Sequence, residues 1–174
     1  MSETPKRVMI IGSAGSGKST LARLLAERLS VPAYHMDREV YWLPGWVERG
    51  NEDQMTQVER IAALDEWVFE GNKSSTFHIR EARADLLIWL DVPLWKRLWR
   101  VTRRAIMQNG QTRADMAEGC PERLSMLPGF WWFILSTAAK SQGKQRQFFE
   151  TSDLPKSRLR TLRDVQSFME RFSA

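Results

Sequence analysis

The chain of 174 residues carries 26 lysines and arginines against 21 aspartates and glutamates, for a net charge of +5. This length predicts one domain with a core of its own, and no apolar segment approaches the ~20 residues that cross a bilayer. The single cysteine, Cys120, excludes an internal disulfide, and the apolar run after Arg7 is too short for a signal peptide. We therefore expect a cytoplasmic protein with no membrane partner.

The charge is distributed unevenly along the chain. Residues 1–94 carry 11 Lys and Arg against 14 Asp and Glu, whereas residues 95–174 carry 15 against 7. A basic second half suits an anionic ligand, which is either the phosphates of a nucleotide or a nucleic acid. Composition does not distinguish between these two ligands.

The first predicted element is a buried strand over the apolar run Val8–Ile11, and leucines at helical spacing begin at Leu21. The residues between them fit the phosphate-binding pattern G-x-x-x-x-G-K-[ST]. Glycines let the backbone turn its N–H groups toward phosphate oxygens, and the helix adds the positive end of its dipole. The motif predicts a site for ATP and Mg²⁺ on Gly12, Ser13, Ala14, Gly15, Ser16, Gly17, Lys18, Ser19 and Thr20.

Two side chains of this motif have predicted roles in chemistry. Lys18 is expected to reach the β- and γ-phosphates, and the Ser19 hydroxyl is expected to bind Mg²⁺. The alternative is a glycine-rich turn that contains Lys-Ser by chance, but strand, loop and amphipathic helix follow one another in the order that the motif needs.

The pattern then alternates between strands and helices. A short strand is predicted over 33–37, a loop or irregular helix over 38–51, a helix over 54–64 and a buried strand over 67–70. Asp37 would end the second strand, where doubly wound sheets place their ligands.

A helix is predicted from a cap at Ser74–Thr76 to about Ala84, followed by a continuous apolar strand over 86–90. The next segment, 94–107, separates apolar from basic positions at helical spacing, and no acid occurs between residues 95 and 113. The basic face consists of Lys96, Arg97, Arg100, Arg103 and Arg104, and the apolar face of residues 94, 95, 98, 99, 102, 105 and 106.

The remaining segments complete the alternation. We predict a loop over 111–129, a helix that carries 130–135 and continues into the basic stretch 140–146, a strand over 158–162 and a closing helix over 165–172. With right-handed crossovers, this order predicts an α/β protein with a five-stranded parallel sheet in three layers and a helical insertion before the last strand.

Short motifs distributed over nearly the whole chain carry a family resemblance. They are Ile11–Thr20, Tyr34–Asp37, Pro44–Trp46, Glu70–Asn72, Ser74–Thr76, Ile79–Arg80, Leu90–Pro93 and Arg113–Glu122. On these residues the chain resembles the small P-loop kinases built like adenylate and shikimate kinases, and more closely the bacterial DNA topology modulation protein group. The resemblance implies one P-loop domain over 1–174, with an acceptor-binding segment at 38–66 and a helical lid at about 96–147.

In nucleoside monophosphate kinases, the helix after a Leu-Asp-Val-Pro-like strand end carries two lid arginines. By this resemblance Arg100 packs near the adenine and Arg104 contacts the transferring phosphates, while Arg103 and Arg113 are second choices. A guanidinium group suits the charge on transferring phosphate oxygens. The alternative is that the basic face is simply solvated.

The resemblance also implies roles for several other residues. Asp37 matches the strand-end acid that contacts the acceptor hydroxyl or a Mg²⁺-bound water in shikimate-type kinases, and the alternative is a turn residue. Glu70 takes the place of an acid that organises Mg²⁺. The arginine that grips a monophosphate in nucleotide kinases is missing after Gly71, so Arg80 is the substitute for an anionic acceptor, and Trp46 could stack on a base.

Two other residues have weaker functional interpretations. Asp91 follows an apolar strand as a metal-binding Walker B acid does, although in kinases of this kind the position usually leads to the lid. His35 is predicted to be structural.

The favoured hypothesis is a phosphotransferase that moves the γ-phosphoryl group of ATP to a small acceptor, either a nucleotide or a hydroxyl metabolite. The alternative is a nucleotide-dependent regulator or ATPase associated with DNA topology, for which the basic second half speaks. Nucleic acid is the less favoured partner, because a lid explains the same arginines. A monomer and a homodimer both remain open.

Overall fold

The computed structural model describes residues 4–172. Its first half contains strands β1 (Arg7–Gly12), β2 (Ala33–His35), β3 (Trp42–Leu43), β4 (Val47–Glu48) and β5 (Trp67–Glu70), and helices α1 (Lys18–Leu29), α2 (Asn51–Ala62) and α3 (Phe77–Glu81). Its second half contains strands β6 (Leu86–Leu90) and β7 (Lys156–Leu159), and helices α4 (Leu94–Met107), α5 (Leu127–Thr151) and α6 (Leu162–Glu170).

The main sheet has five parallel strands in the order β2-β5-β1-β6-β7, which confirms the predicted sheet. Strand β1 lies at its centre, with Val8 opposite Val68 on one side and Leu86 on the other. Because the first strand is central, the strand order reverses beside it, and the loops after β1 and its neighbours meet at one edge. That edge is where open α/β sheets bind ligands.

The residues of β1 alternate between two cores. Val8 and Ile10 pack in the core that α1 and α6 cover, whereas Met9 and Ile11 pack in the core that contains residues of α2 and α3. Successive side chains of a strand point to opposite faces, so a continuous apolar strand is the form that a three-layer protein requires. All four of these side chains are fully buried.

Helix α4 does not bury the apolar face that its sequence pattern predicts. Trp95 and Trp99 are 67% and 61% exposed, whereas Arg97, Val101 and Ala105 face the protein. The reason is the P-loop, which passes so close to α4 that the Arg97 carbonyl would lie 2.7 Å from a Cβ at Gly15. A backbone that close leaves no room for an indole ring at this contact, where the Val101 side chain packs instead.

Several predicted boundaries shift for local reasons. The second strand ends at His35, because the chain enters a π-helical turn at Asp37–Tyr41. The last strand ends at Leu159 rather than residue 162, because Thr161 and Asp164 form a capping box that starts α6. Helix α5 begins at Leu127 inside the predicted loop, with a proline in its first turn.

None of the helices in the described range 4–172 is both long enough and apolar enough to span a membrane.

Candidate functional site

The P-loop, Gly12–Thr20, joins the centre of the sheet to α1. Gly15 and Gly17 have φ angles of +77° and +95°, which residues with a Cβ atom rarely adopt. Gly17 is also the N-cap of α1 and provides no side-chain cap, so the first N–H groups of the helix face the loop. The Ser16 hydroxyl is buried without a hydrogen-bond partner. This set of donors suits a polyanion such as the phosphates of a nucleotide.

A large cleft opens above the P-loop. Its volume is about 890 Å³, and its walls include α1, α4, the loop after α4 and the chain around β7 and α6. Of the residues that the sequence predicted for the site, the cleft is lined by Ala14, Gly15, Ser16, Gly17, Lys18, Ser19, Thr20, Asp37, Arg100, Arg104 and Arg113. The fold therefore brings most of the predicted site residues to one place.

Lys18 lies at the base of this cleft with its ammonium group close to two oxygens. Its Nζ is 3.4 Å from the carbonyl oxygen of Ser13 and 3.9 Å from Oε2 of Glu70. The side chain is mostly buried. In this position the charge of Lys18 is directed along the loop, where phosphate oxygens would lie.

Glu70 is the buried acid of the site. Ser19 Oγ donates to Glu70 Oε1 at 2.9 Å, and His35 Nδ1 lies 3.1 Å from the same oxygen. Burial alone would raise the pKa of Glu70, but the hydrogen bond from His35 and the nearby Lys18 charge outweigh burial and lower it. Glu70 is thus held as a carboxylate beside the P-loop hydroxyl.

Ser19 and Glu70 have the chemistry of a magnesium site that includes phosphate oxygens, because Mg²⁺ takes few protein ligands and keeps several waters. Among the residues that the structure describes, no group of three or more His, Cys, Asp and Glu side chains could hold a metal by itself. A cation at this place would therefore depend on the nucleotide for part of its coordination.

Asp37 and Asp115 also line the cleft, close to Glu70 and Ser19. Burial raises the pKa of Asp37, and the neighbouring Glu70 carboxylate raises it further. Asp115 behaves differently: burial would raise its pKa, but Arg113 and a hydrogen bond from Ser19 lower it. The cleft thus contains one acid whose pKa is raised and one whose pKa is lowered.

The arginines are positioned by two different kinds of contact. Arg100 Nη1 donates to the Ser16 carbonyl at 2.8 Å and thereby ties α4 to the P-loop. Arg104 and Arg113 both pair with Glu122 Oε1 at 3.1 Å, and Arg113 also pairs with Asp115 at 3.1 Å. Burial and the nearby Arg113 charge lower the pKa of Arg104. One carboxylate, that of Glu122, thus contacts both guanidinium groups.

Two predicted acceptor-site residues lie elsewhere. Arg80 is fully buried between the rings of Phe69 and Phe77 and donates to the Gly71 carbonyl at 3.2 Å. Burial lowers the pKa of Arg80 to about 10. This side chain belongs to the core and does not line the cleft.

Trp46 packs against the loop after α4 instead of facing the cleft. Its ring meets that of Trp42 edge-on at 5.2 Å, and its Nε1 donates to the Pro121 carbonyl at 3.3 Å. Its backbone N–H donates to the Cys120 sulfur at 3.2 Å. Trp46 therefore connects the predicted acceptor segment to the predicted lid.

Asp91, the residue after β6, does not approach the P-loop hydroxyl. Its carboxylate accepts hydrogen bonds from Arg158 at 2.5 and 3.1 Å and from Gln142 at 2.9 Å, and Arg160 lies 3.5 Å away. These contacts fix the end of the sheet and do not form a metal site.

Sequence reasoning did not assign roles to Asp115, Glu122 or Gln145. Asp115 is the first acid after the acid-free stretch that ends at residue 113, and that position was the available signal. No feature of the sequence around Gln145 indicated a role for this residue. Its amide is buried and bonds the Ser13 hydroxyl at 3.1 Å and the Asn72 side chain at 2.7 Å, contacts that only the folded chain creates.

A phosphate-binding loop that opens a helix below a parallel sheet of this order defines a P-loop kinase-like protein. The chain belongs to the AAA domain family, whose family model matches residues 8–119.

Solved structures of kinases share the fold. A shikimate kinase from Bacteroides thetaiotaomicron superposes with a TM-score of 0.57 at 18% identity, covering 97% of this chain and 96% of its own. One from Aquifex aeolicus gives 0.55 at 16% identity, covering 95% and 94%. A sugar kinase from a Janibacter species gives 0.54 at 14%, covering 97% and 92%. Among proteins of curated function, none matches the chain. These similarities establish the fold.

Proposed function

We propose that this protein is a phosphotransferase that moves the γ-phosphoryl group of ATP, bound with Mg²⁺, to a small acceptor. The observation that carries this proposal is the convergence of Lys18, Arg104 and Arg113 on one cleft above a phosphate-binding loop. Phosphoryl transfer depends on positioning and on neutralising charge on the phosphate oxygens more than on covalent chemistry by the protein. Three cations around one cleft suit that demand.

On the nucleotide side, the N–H groups of the P-loop and Lys18 would hold the β- and γ-phosphates. Mg²⁺, when bound with ATP, would neutralise further charge, and Ser19 and Glu70 would hold it. Arg100 is fixed to the Ser16 carbonyl, so it would border the nucleotide. Arg104 would leave Glu122 for the phosphates, because both are anionic partners for the same guanidinium.

On the acceptor side, Asp37 is the proposed base. A carboxylate with a raised pKa takes a proton from an acceptor oxygen more readily than an ordinary aspartate does. The acceptor oxygen would then form a bond to the γ-phosphorus as the bond to the bridging oxygen of ADP breaks. The proton stays on Asp37 until the products leave.

Two segments would enclose this reaction, an acceptor-binding segment at 38–66 and a lid at about 96–147. Their contact supports the assignment: Arg38 Nη1 donates to the Ala114 carbonyl at 2.9 Å, and Trp46 bonds to Pro121. Segments that close over a site exclude water and prevent hydrolysis of ATP. Trp46 would act through this contact, whereas the buried location of Arg80 does not support contact with an acceptor.

The kinase proposal is tested by ADP release with ATP·Mg²⁺ across a panel of nucleosides, monophosphates and small hydroxyl compounds. We expect at least one acceptor to raise turnover well above hydrolysis, and Lys18→Ala to abolish that increase. If no acceptor raises turnover above the hydrolysis of ATP alone, the kinase proposal fails.

Arg104 tests the lid. Arg104→Ala should lower turnover by about 100-fold or more and weaken ATP binding far less, because its contact would be strongest in the transition state. Arg123→Ala is the control, since Arg123 is exposed in the same segment and does not line the cleft. Equal effects of the two substitutions on turnover would contradict the role of Arg104.

Membership of the DNA topology modulation group stays a prediction, and so does a role with nucleic acid. The location of the basic residues gives that role less support, because Arg100, Arg104 and Arg113 contact the P-loop or acids inside the cleft. Binding to duplex DNA would fall steeply with salt, and its absence at about 50 mM salt would rule the role out.

A further inference from the structure

A second cavity lies next to the nucleotide cleft, and the first residues of the P-loop separate the two spaces. Its volume is about 200 Å³, and Ala14 forms part of the wall of both spaces. The polar side chains around the smaller space include Ser13, Asn72, Arg97, Lys140, Ser141 and Lys144, which come from four separate elements. Apart from Ser13, which belongs to the P-loop, none of these residues has a role in the proposed transfer reaction.

Arg97 is the residue that requires an explanation. It is only 6% exposed, and its Nε is buried without a hydrogen-bond partner. Burial lowers the pKa of Arg97, against an opposing effect of Asp91. Asp91 is already paired with Arg158 and Arg160. Within residues 4–172, no carboxylate lies in ion-pair distance of Arg97.

A buried charge that lacks a partner is strongly unfavourable, because the protein interior solvates it poorly. Arg80 is also buried, but two aromatic rings compensate its charge, whereas no ring contact is found for Arg97 within residues 4–172. Since Arg97 lines the cavity, an anion in this space would supply the missing partner.

Two lysines increase the positive charge of the same cavity. Lys140 and Lys144 are separated by one turn of α5, and both line the space. Lys144 Nζ lies 3.4 Å from Ser74 Oγ, and neither lysine forms an ion pair in the described part of the chain. No acidic side chain lines the cavity. The charged side chains that line the space are therefore all cationic.

The uncharged polar groups are held in place by a buried glutamine. Gln145 Nε2 lies 2.7 Å from Asn72 Oδ1 and 2.9 Å from Ser141 Oγ, and Asn72 Nδ2 donates to Ser141 Oγ at 2.8 Å. Trp89 Nε1 fixes the glutamine by donating to its Oε1 at 3.0 Å. The side chains of Asn72 and Ser141 are thus held in fixed positions, as polar groups in small-ligand sites usually are.

We propose that this cavity is a second anion site, which binds a phosphate or carboxylate group of a small molecule between Arg97, Lys140 and Lys144. Its volume accommodates such a group with a small part of the molecule that carries it, but is below the range typical of whole drug-sized ligands. The proposal does not rest on the phosphotransferase reaction.

Inorganic phosphate is the probe, and titration calorimetry is the measurement. With a non-hydrolysable ATP analogue and Mg²⁺ filling the P-loop, we expect the protein to bind one further phosphate. Arg97→Gln should weaken that binding by about tenfold or more, because a charge-assisted contact is lost. Lys96→Gln removes one charge from the same helix outside the cavity and should leave phosphate binding unchanged.

Two further variants keep the test decisive. If Arg97→Gln does not fold, Lys140→Gln with Lys144→Gln changes only exposed side chains and should give the same loss. If the analogue does not bind, the comparison is made in Lys18→Ala without nucleotide, which removes phosphate binding at the P-loop. Phosphate binding that is absent, or that survives in all cavity variants, overturns the proposal.

Steady-state kinetics distinguish whether the bound anionic group belongs to the acceptor or to a separate effector. If the group belongs to the acceptor, Arg97→Gln raises KM for anionic acceptors and not for neutral ones. If it belongs to a separate effector, phosphate changes the rate without competing with the acceptor. The two results support the same site and assign it to different molecules.

Discussion

At the scale of single residues, Glu122 contacts two arginines that we propose to bind phosphate. It pairs with Arg104 and Arg113 at 3.1 Å each, and both arginines line the nucleotide cleft. A carboxylate resembles a phosphate in charge and in hydrogen-bond geometry, so the two anions compete for the same guanidinium groups. Glu122 keeps the arginines paired when no ligand is present.

Replacing Glu122 by glutamine should therefore tighten ATP binding. Arg104 would lose its internal partner and Arg113 would keep only Asp115, and we expect affinity to rise by about fivefold, which corresponds to roughly 1 kcal/mol. Titration of ATP into the two proteins measures this change. Glu118→Gln is the control, because Glu118 is exposed on the same loop. Unchanged or weaker binding in Glu122→Gln would contradict the competition.

Glu70 gives a prediction about pH and stability. Its pKa in the folded protein lies below the ordinary value of 4.5, so folding favours its ionised form. The stability that Glu70 provides is then fully present above about pH 4.5 and is lost as pH falls through the lower, folded value.

Urea unfolding of the protein and of Glu70→Gln at several pH values measures this dependence. The difference in free energy of unfolding should be largest near pH 7 and should shrink below pH 4.5. Glu59→Gln, at an exposed position of α2, should show no such change. A difference that stays constant with pH would mean that the Glu70 charge does not stabilise the fold.

At the scale of elements, the contact between the P-loop and α4 decides how the helix is oriented. Gly15 packs against the Arg97 carbonyl and the Val101 side chain. This close approach places Arg100 and Arg104 on the cleft side of the helix and leaves Trp95 and Trp99 in solvent. The helix is therefore oriented by backbone packing rather than by its apolar stripe.

Gly15→Ala should disrupt this packing. An added Cβ would lie 2.7 Å from the Arg97 oxygen and 2.9 Å from Val101 Cγ2, and the φ angle of +77° is unfavourable for alanine. We expect a loss of about 2 kcal/mol or more in the free energy of unfolding, together with weaker ATP binding.

Gly143→Ala is the matched control for this prediction. Gly143 lies within α5, and no atom lies within 4 Å of an added Cβ. Because alanine favours helices, the substitution should stabilise the protein by up to about 1 kcal/mol. Urea denaturation measures both variants, and equal effects of the two would show that Gly15 is not a close contact.

At the scale of the whole molecule, the charges are segregated between the two halves of the chain. The acidic half supplies the P-loop, and the basic second half supplies all the arginines of the predicted lid. The fold brings both halves to the nucleotide cleft, so the cleft receives a local positive potential that the modest net charge of +5 does not reveal.

This arrangement predicts that ATP binding weakens with salt. Affinity should fall severalfold between about 0.05 M and 0.5 M NaCl, because exposed charges are screened as the Debye length shortens. Adenosine, which has no phosphates, should show little change. Titrations at both salt concentrations measure the two ligands, and an equal salt dependence would show that phosphate charge does not govern binding.

The sheet and much of the cleft could be predicted from the sequence. The P-loop is identified by a local pattern, because strand, turn and helix chemistry acts over a few residues, whereas Asp37, Arg100 and Arg104 are assigned by the family resemblance. Arg80 is a residue whose location such patterns do not predict. Its position in the sequence resembles that of a ligand-binding arginine, but packing between Phe69 and Phe77 places it in the core.

The sequence by itself determined the phosphate-binding loop, the alternation of strands and helices, and the basic character of the second half. Only the tertiary structure decided that Glu122 pairs with the arginines of the cleft, that Arg97 is buried without a partner, and that Gln145 reaches Ser13. The physical reason is distance along the chain. Contacts between residues more than a hundred positions apart, such as Gln145 and Ser13, depend on how whole elements pack, and no local periodicity records that packing.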